Sequence, residues 1–327
     1  MKAIRVKEFG APEVLRVEEI DDLKPGEDEV LVKVEAAGIN PVETYIRSGN
    51  YPRLPQLPYT PGNDGAGTVE AVGRGVSGVK TGDRVFLTGS TTGTYAEYCV
   101  CTKAQVHALP DGLSFAQGAA VGVPYATAHR ALFDRGGGKR GETVLIHGGT
   151  GGVGTAAVQL AVAAGLRVFA TGGTPTGRVL LQENGASEVF DHHEVGYLEA
   201  IRTATEGRGV NLIVEMLANI NLGNDLTVLA PGGRVVVVGS RGPVEINPRD
   251  LMSREADVRG LMLFAAPPEE LAKVYADLKG KFASGSAVPI VAKEFPLSEA
   301  AAAHTAVMTA GAHGKIVLVP GLKAAEV

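Results

Sequence analysis

Along the first third of the chain, apolar and polar positions alternate with a period of two. The runs AIRVKEF, VLRVEEI, EVLVKVEAAG, TVEAVG, DRVFLT and YAEYCVC each read as a strand, and Gly, Pro and Asp separate them. One short helix interrupts this region, Pro41 to Ser48, ended by Gly49. Pro41 suits the first helical position, Asn40 the N-cap, and Glu43 the third position of a capping box.

Near Tyr125 the texture changes to alternating strands and helices. YATAHRALF reads as helical. Strands are expected at residues 143–147, 167–171, 188–190, 210–216, 234–239 and 258–264. Helices are expected at 152–164, 176–184, 195–205 and 222–229. Such alternation implies right-handed crossovers and a parallel, doubly wound sheet. Further on, Leu271, Val274, Tyr275, Leu278 and Phe282 share one helical face, a second helix covers Ser298–Met308, and a last strand covers Lys315–Pro320. The expected organisation is a β-rich domain from 1–124 and 266–327 around an α/β domain at 125–265.

Composition narrows the class. The 327 residues are 45% hydrophobic and 20% charged, with a net charge of −5, as in an ordinary globular protein. That balance gives no general attraction to nucleic acid or to an anionic membrane; RGGGKR is the one short basic cluster and reads as a solvated turn. The N-terminus lacks the apolar core of a signal peptide, and no apolar run reaches the ~20 residues of a membrane helix, so a cytoplasmic location is expected. The two cysteines, Cys99 and Cys101, are too few for a four-thiolate zinc lobe and read as small strand residues.

Two stretches carry candidate chemistry. HGGTGGVG holds a G-x-G-x-x-G from Gly149 to Gly154, after the strand Val144-Leu145-Ile146 and before an apolar helix. In that context the glycines admit a pyrophosphate to the backbone, and the helix N-terminus attracts it. The segment from Thr155 to Gln182 has no acidic residue to read a ribose 2′-hydroxyl. The second strand ends in TGGTPTGR, where Gly173 leaves space and Arg178 can pair with a 2′-phosphate, so NADPH is expected over NADH. The other stretch is GNDGAGTVEAVG, in which Asn63 and Asp64 sit between glycines at the mouth of a strand. A plain turn, a metal site and a metal site without its ligands are three readings of it.

The motifs GINPVETYIRSG, LPYTPGNDGAG, HGGTGGVG, EMLANINL and GSRGPVEINPRD, spread over nearly the whole chain, resemble medium-chain dehydrogenase/reductases, and within them the zeta-crystallin type of quinone oxidoreductase. The resemblance implies a GroES-like β-rich domain with a Rossmann domain and a C-terminal return. In zinc-dependent members the corresponding segments read G-x-C and G-H-E; here the positions hold Asn40 and Gly62-Asn63-Asp64. Amides are poor zinc ligands, His107, His129, His192 and His193 have no convincing partner set, and no metal is expected.

The resemblance further implies cofactor contacts at Tyr45, Thr150, Gly151, Gly152, Val153 and Gly173. It puts His192 near the adenosine end, Asn221 near the nicotinamide, and Val238, Gly239, Ser240 and Arg241 after the fifth strand. Asn40, Tyr45 and Tyr51 are the candidate catalytic wall, with Asn40 donating to an acceptor carbonyl and Tyr51 or water supplying a proton. Without a metal, hydrogen bonding suits an electrophilic quinone or conjugated enone better than a simple ketone. The expected activity is NADPH:quinone reduction, by hydride or single electrons, in an interdomain cleft. Open alternatives are an alkenal or enoyl double-bond reductase, or a structural or AU-rich-RNA-binding role as in some relatives. The edge strand at 258–264 and the resemblance imply a homodimer, or a homotetramer.

Overall fold

The computed structural model describes residues 1–323 and divides the chain into two compact units, Met1–Val123 with Pro289 onward, and Pro124–Val288. In chain order the first unit carries β1 (Lys2–Arg5), β2 (Arg16–Glu19), β3 (Glu29–Ile39), α1 (Pro41–Arg47), β4 (Asp64–Val72), β5 (Arg84–Thr88), β6 (Tyr98–Thr102), β7 (Val106–Ala108) and α2 (Phe115–Gly118). Helix α3 (Gly122–His129) follows. The second unit continues with β8 (Thr143–Ile146), α4 (Gly152–Ala163), β9 (Arg167–Thr171), α5 (Pro175–Glu183), β10 (Glu188–Phe190), α6 (Tyr197–Ala204) and β11 (Val210–Glu215). It ends with α7 (Ala218–Val228), β12 (Leu229–Val237), α8 (Pro248–Met252), β13 (Asp257–Gly260) and α9 (Pro268–Ala283). The chain then returns to the first unit as β14 (Val291–Pro296), α10 (Ala300–Met308) and β15 (Lys315–Val319).

In the first unit the long β3 is the hub. It pairs antiparallel with β4, with β6 and with β15, and its alternating Val30, Val32 and Val34 point into a core shared with Ile4, Leu87, Tyr95 and Leu318. The sheet order is β14-β15-β3-β4-β5-β7, so the return after α9 supplies two strands of the first unit's sheet.

The second unit is a six-stranded parallel sheet in the order β10-β9-β8-β11-β12-β13. Counted from β8, that is strand order 3-2-1-4-5-6, the Rossmann arrangement, whose order reverses between β8 and β11. Val144, Leu145, Ile146, Phe169, Leu212, Ile213 and Val235 are fully buried in it, as expected for strands covered on both faces.

Several boundaries differ from the periodicity. Pro12–Val14 forms a helical turn, because proline presets a turn there, so only Arg16–Glu19 of VLRVEEI is strand. The expected strand at 258–264 shortens to 257–260 and gives way to a 3-10 turn at Leu263–Ala265. The helix after Gly122 continues past His129 as a π-helical stretch, Arg130–Arg135. The domain return comes later than texture suggested: α9 stays with the second unit. There the Phe282 ring meets Tyr125 edge-on at 5.0 Å, and the Tyr125 hydroxyl donates to Gln159 Oε1 (2.6 Å).

Phe282→Ala is expected to cost about 3–5 kcal/mol. Hydrogen exchange should place the loss of protection in the α4 and α9 segments of the second unit. Loss centred on β14 and β15 would place α9 with the first unit.

Candidate active site

The turn at Gly62 decides how the first unit builds its polar centre. Gly62 has φ +107°, and a Cβ there would lie 2.2 Å from Thr94 Oγ1, so only glycine fits. The turn starts β4 at Asp64, fully buried, and faces it to Lys315 at the start of β15. Lys315 Nζ donates to Asp64 Oδ2 (2.8 Å) and to Asn40 Oδ1. Asn40 Nδ2 donates to Asp64 Oδ2 (2.9 Å) and, at 3.5 Å, to Glu43 Oε1. Asp64 Oδ1 accepts from the Val123 N–H (2.7 Å), in the first turn of α3.

Glu43 extends this network. It accepts from the Asn40 N–H (2.8 Å), which is the expected capping-box bond, and also from the Asn63 N–H (3.0 Å) and the Tyr95 hydroxyl (2.7 Å). His304 Nε2 lies 3.2 Å from the same hydroxyl. Burial pushes Glu43 above the usual carboxylate range, with the Lys315 charge pulling the other way. Burial drives the Tyr95 phenol well up and brings His304 down to about 3, so both stay neutral at neutral pH.

Asn40 is therefore the N-cap residue and a buried strut together: it is 3% exposed, and its amide hydrogens go to Asp64 and Glu43. Tyr45 and Tyr51 are half-buried, on α1 and on the turn after it. The same unit has a groove of about 600 Å³ lined by Glu43, Arg53, Leu54, Tyr59, Asn63 and Tyr98 among others. Lys315 is missing from the expected site because in sequence it is only a charge opening the apolar run KIVLV; nothing local pairs it with a residue 251 positions earlier.

Zinc does not fit this centre. At the positions that the resemblance pairs with zinc ligands stand two amides, Asn40 and Asn63, and an ammonium already bonds Asn40 and Asp64. Thiolate or imidazole donors are needed, and a lysine cation in the cluster opposes a second cation.

In the second unit the glycine motif lies where expected, between β8 and α4, with Gly151 at the N-cap. A Cβ on Gly154 would meet Gly148 O at 2.3 Å, so the loop closes only with glycine there. The first N–H groups of α4, on Gly152 and Val153, have no acceptor inside the helix and suit a pyrophosphate.

The adenosine-side candidates come together around the ends of β9 and β10. A Cβ on Gly172 would touch Thr150 Cγ2 and Arg178 Cγ, each at 3.3 Å, and one on Gly173 would collide with His192 Cε1 (2.9 Å) and His193 Nε2 (2.8 Å). Arg178, however, already pairs with Asp191 Oδ2 (2.5 Å) and donates to Gly172 O (3.3 Å). The acid-free stretch in the sequence did not announce this carboxylate, because β10 brings it in from beyond α5. Asp191 lies below the usual carboxylate range through the His193 N–H, with Arg178 adding to it.

A second group gathers on Glu215. Asn221 Nδ2 donates to Glu215 Oε1 (3.1 Å), and the Val238 and Gly239 N–H groups donate to Glu215 O (2.8 and 3.3 Å). Ser240 Oγ turns to Gly242 O (2.8 Å), and Arg241 is exposed with its N–H on Asn219 Oδ1 (2.9 Å). Among the described residues, no helix is long and apolar enough to cross a membrane.

These geometries coincide with what comparisons find. Residues 26–111 match the alcohol dehydrogenase GroES-like domain and residues 152–279 the zinc-binding dehydrogenase model. The chain belongs to the medium-chain dehydrogenase/reductase family. Its branch is that of the zeta-crystallin-type quinone oxidoreductases: it is 49% identical over 320 residues to the quinone oxidoreductase of Homo sapiens, covering 97% of each chain. The Escherichia coli quinone oxidoreductase structure, complexed with NADPH, superposes with a TM-score of 0.86 at 31% identity, covering 98% of this chain and 100% of that one. A mycobacterial structure complexed with NADPH gives 0.89 at 34%, with the same coverage.

Lys315→Met should destabilise the protein by about 3–5 kcal/mol, because Asp64 keeps its buried charge without a cation. Urea denaturation reads this directly. A loss below about 1 kcal/mol would mean that Asp64 is satisfied by Asn40 and the Val123 N–H alone.

Proposed function

We propose that this protein is an NADPH-dependent quinone reductase that works without a metal. The observation that carries the reading is the pairing of a full-length likeness to quinone oxidoreductases with a polar centre in which Lys315 bonds Asn40, at a position that the resemblance pairs with a zinc ligand, and Asp64. A conjugated acceptor accepts reducing equivalents without the carbonyl polarisation that a metal supplies to ketone chemistry.

In this reading Gly151, Gly152, Val153 and Thr150 hold the pyrophosphate, and Gly173, Arg178 and His192 receive the 2′-phosphate end. Asn221, Val238, Gly239, Ser240 and Arg241 meet the nicotinamide half, and Tyr45 contacts the cofactor. When bound, NADPH supplies the hydride or single electrons. This chain's residues bind, orient and exclude water, and much of the rate gain comes from positioning. Asn40 keeps Asp64 and Lys315 in place, so donation to the acceptor oxygen falls to the Tyr51 hydroxyl or water.

The proposal includes a cytoplasmic, homodimeric protein. Val258 on the edge strand β13, and Met262 and Phe264 just after it, are 39%, 52% and 48% exposed, an apolar strip that a second copy would cover. Sedimentation at micromolar concentration should give a dimer or tetramer; a single monomeric boundary would refute the assembly.

The test is oxidation of NADPH by 1,4-benzoquinone with protein treated with a chelator. Turnover unchanged by chelation is expected. Activity restored only by added zinc would overturn the metal-free reading, and turnover of enones but not quinones would move the substrate class. Arg178→Ala should reduce the preference for NADPH over NADH by about tenfold, the scale of one charge-assisted hydrogen bond. An unchanged preference would show that Asp191 keeps Arg178 occupied.

A further inference from the structure

A second buried polar cluster lies where the strand order of the Rossmann sheet reverses. His147 follows β8 directly and Glu215 ends β11, the neighbouring strand, while Asp225 reaches in from α7. His147 Nε2 is 2.9 Å from Asp225 Oδ1 and 3.7 Å from Glu215 Oε2. The side chains of both acids are fully buried and that of His147 is 3% exposed. His147 Nδ1 faces Thr171 Oγ1 at 3.4 Å, and that hydroxyl accepts the Gly148 N–H (3.1 Å).

Glu215 divides its two oxygens. Oε1 accepts the Leu217 N–H and the Asn221 amide, which fixes the start of α7. Oε2 and Asp225 Oδ2 are sealed from solvent with no hydrogen-bond partner. Two orphaned carboxyl oxygens in one pocket are costly, and two carboxylates beside one imidazole leave net negative charge in a low dielectric. One proton between the carboxyls removes both problems. Burial pushes Glu215 up to about 7, opposed by the His147 charge and reinforced by that of Asp225. Burial works to lower His147, but the hydrogen bond to Asp225 and the two acids outweigh it and raise it.

We propose that Glu215 and Asp225 share one proton, and that this proton makes Glu215 the positioning residue for the start of α7 and so for Asn221 beside the cofactor. With the proton in place, Glu215 Oε2 donates to Asp225 while Oε1 keeps Leu217 and Asn221. Without it two carboxylates face each other, Glu215 turns away, and the start of α7 is released. NADPH affinity then falls as pH rises past neutrality. The inference rests on the NADPH reading above.

The other titratable groups facing the triad are Tyr197 on α6, raised by burial, and His192 after β10, lowered by burial. Burial moves both away from the pH 6.5–8.5 window, and the triad's share of any change is the part that Glu215→Gln removes. Glu215→Gln imitates the protonated state: its oxygen accepts from Leu217 and Asn221, and its amide donates to Asp225.

The experiment is fluorescence titration of the full chain with NADPH from pH 6.5 to 8.5, for wild type, Glu215→Gln and Glu215→Ala. The wild-type Kd is expected to rise about fivefold more than that of Glu215→Gln, which should match wild type at pH 6.5; Glu215→Ala should bind weakly throughout. A rise in Glu215→Gln equal to wild type, or binding as weak as in Glu215→Ala, overturns the proposal. So does one equivalent of a divalent metal in purified wild type that disappears in Glu215→Ala, since this donor set suits such an ion.

Melting without cofactor gives an independent readout. A carboxyl raised from 4.5 to about 7 loses its contribution to stability as pH climbs through that interval. Wild type should therefore lose melting temperature across it relative to Glu215→Gln, and parallel curves overturn the shared proton. Absence of NADPH binding by wild type at every pH, with the melting difference present, fails the cofactor reading and the positioning role while the proton stands.

Discussion

The first unit is organised around one buried ion pair, Lys315 with Asp64. Charges withdrawn from water are held only where geometry is good and the remaining lone pairs are used. Here every contact is spoken for: Asp64 takes Lys315 and Asn40 on one oxygen and the Val123 N–H on the other, while Lys315 also holds Asn40. The pair ties β15, which arrives after the whole second unit has been traversed, to the start of β4 and the cap of α1. A glycine with positive φ at position 62 is what lets Asp64 face inward at all.

Much of this fold was legible in the sequence because it rests on local rules. Alternation located β3, β5 and β9, and strand-glycine-helix order located the dinucleotide loop. The Asn40–Glu43 cap was read from spacing alone. What escaped depends on partners far along the chain. Lys315 and Asp64 are separated by 251 positions, and α9 looks the same in sequence whichever unit it packs against. Arg178 was legible as a cation near the second strand, but its partner Asp191 comes from the next strand, and no count of acidic residues along one segment foresees that.

The role of Asn40 shows the same limit at a single residue. In the sequence it was both an N-cap and a candidate donor to an acceptor carbonyl. Burial at 3% and three polar neighbours turn it into a strut instead. The name of the family model, zinc-binding dehydrogenase, describes a fold that this chain shares. The donor atoms of the first unit's centre belong to a different chemistry, with an ammonium bonded to Asn40 and Asp64.

The two buried clusters differ in a way that bears on function. The one around Lys315 pairs a cation with a carboxylate and fills each acceptor of that pair, so it is suited to hold a shape. The one around His147 has two acids, one imidazole and two oxygens without partners, at the reversal of the sheet where such folds place their ligands. A closed network resists change in protonation; an open one depends on it. The open network sits beneath the start of α7, where Asn221 bonds Glu215, so a proton gained or lost there acts on that helix end, while the first unit's centre has each acceptor of its ion pair filled.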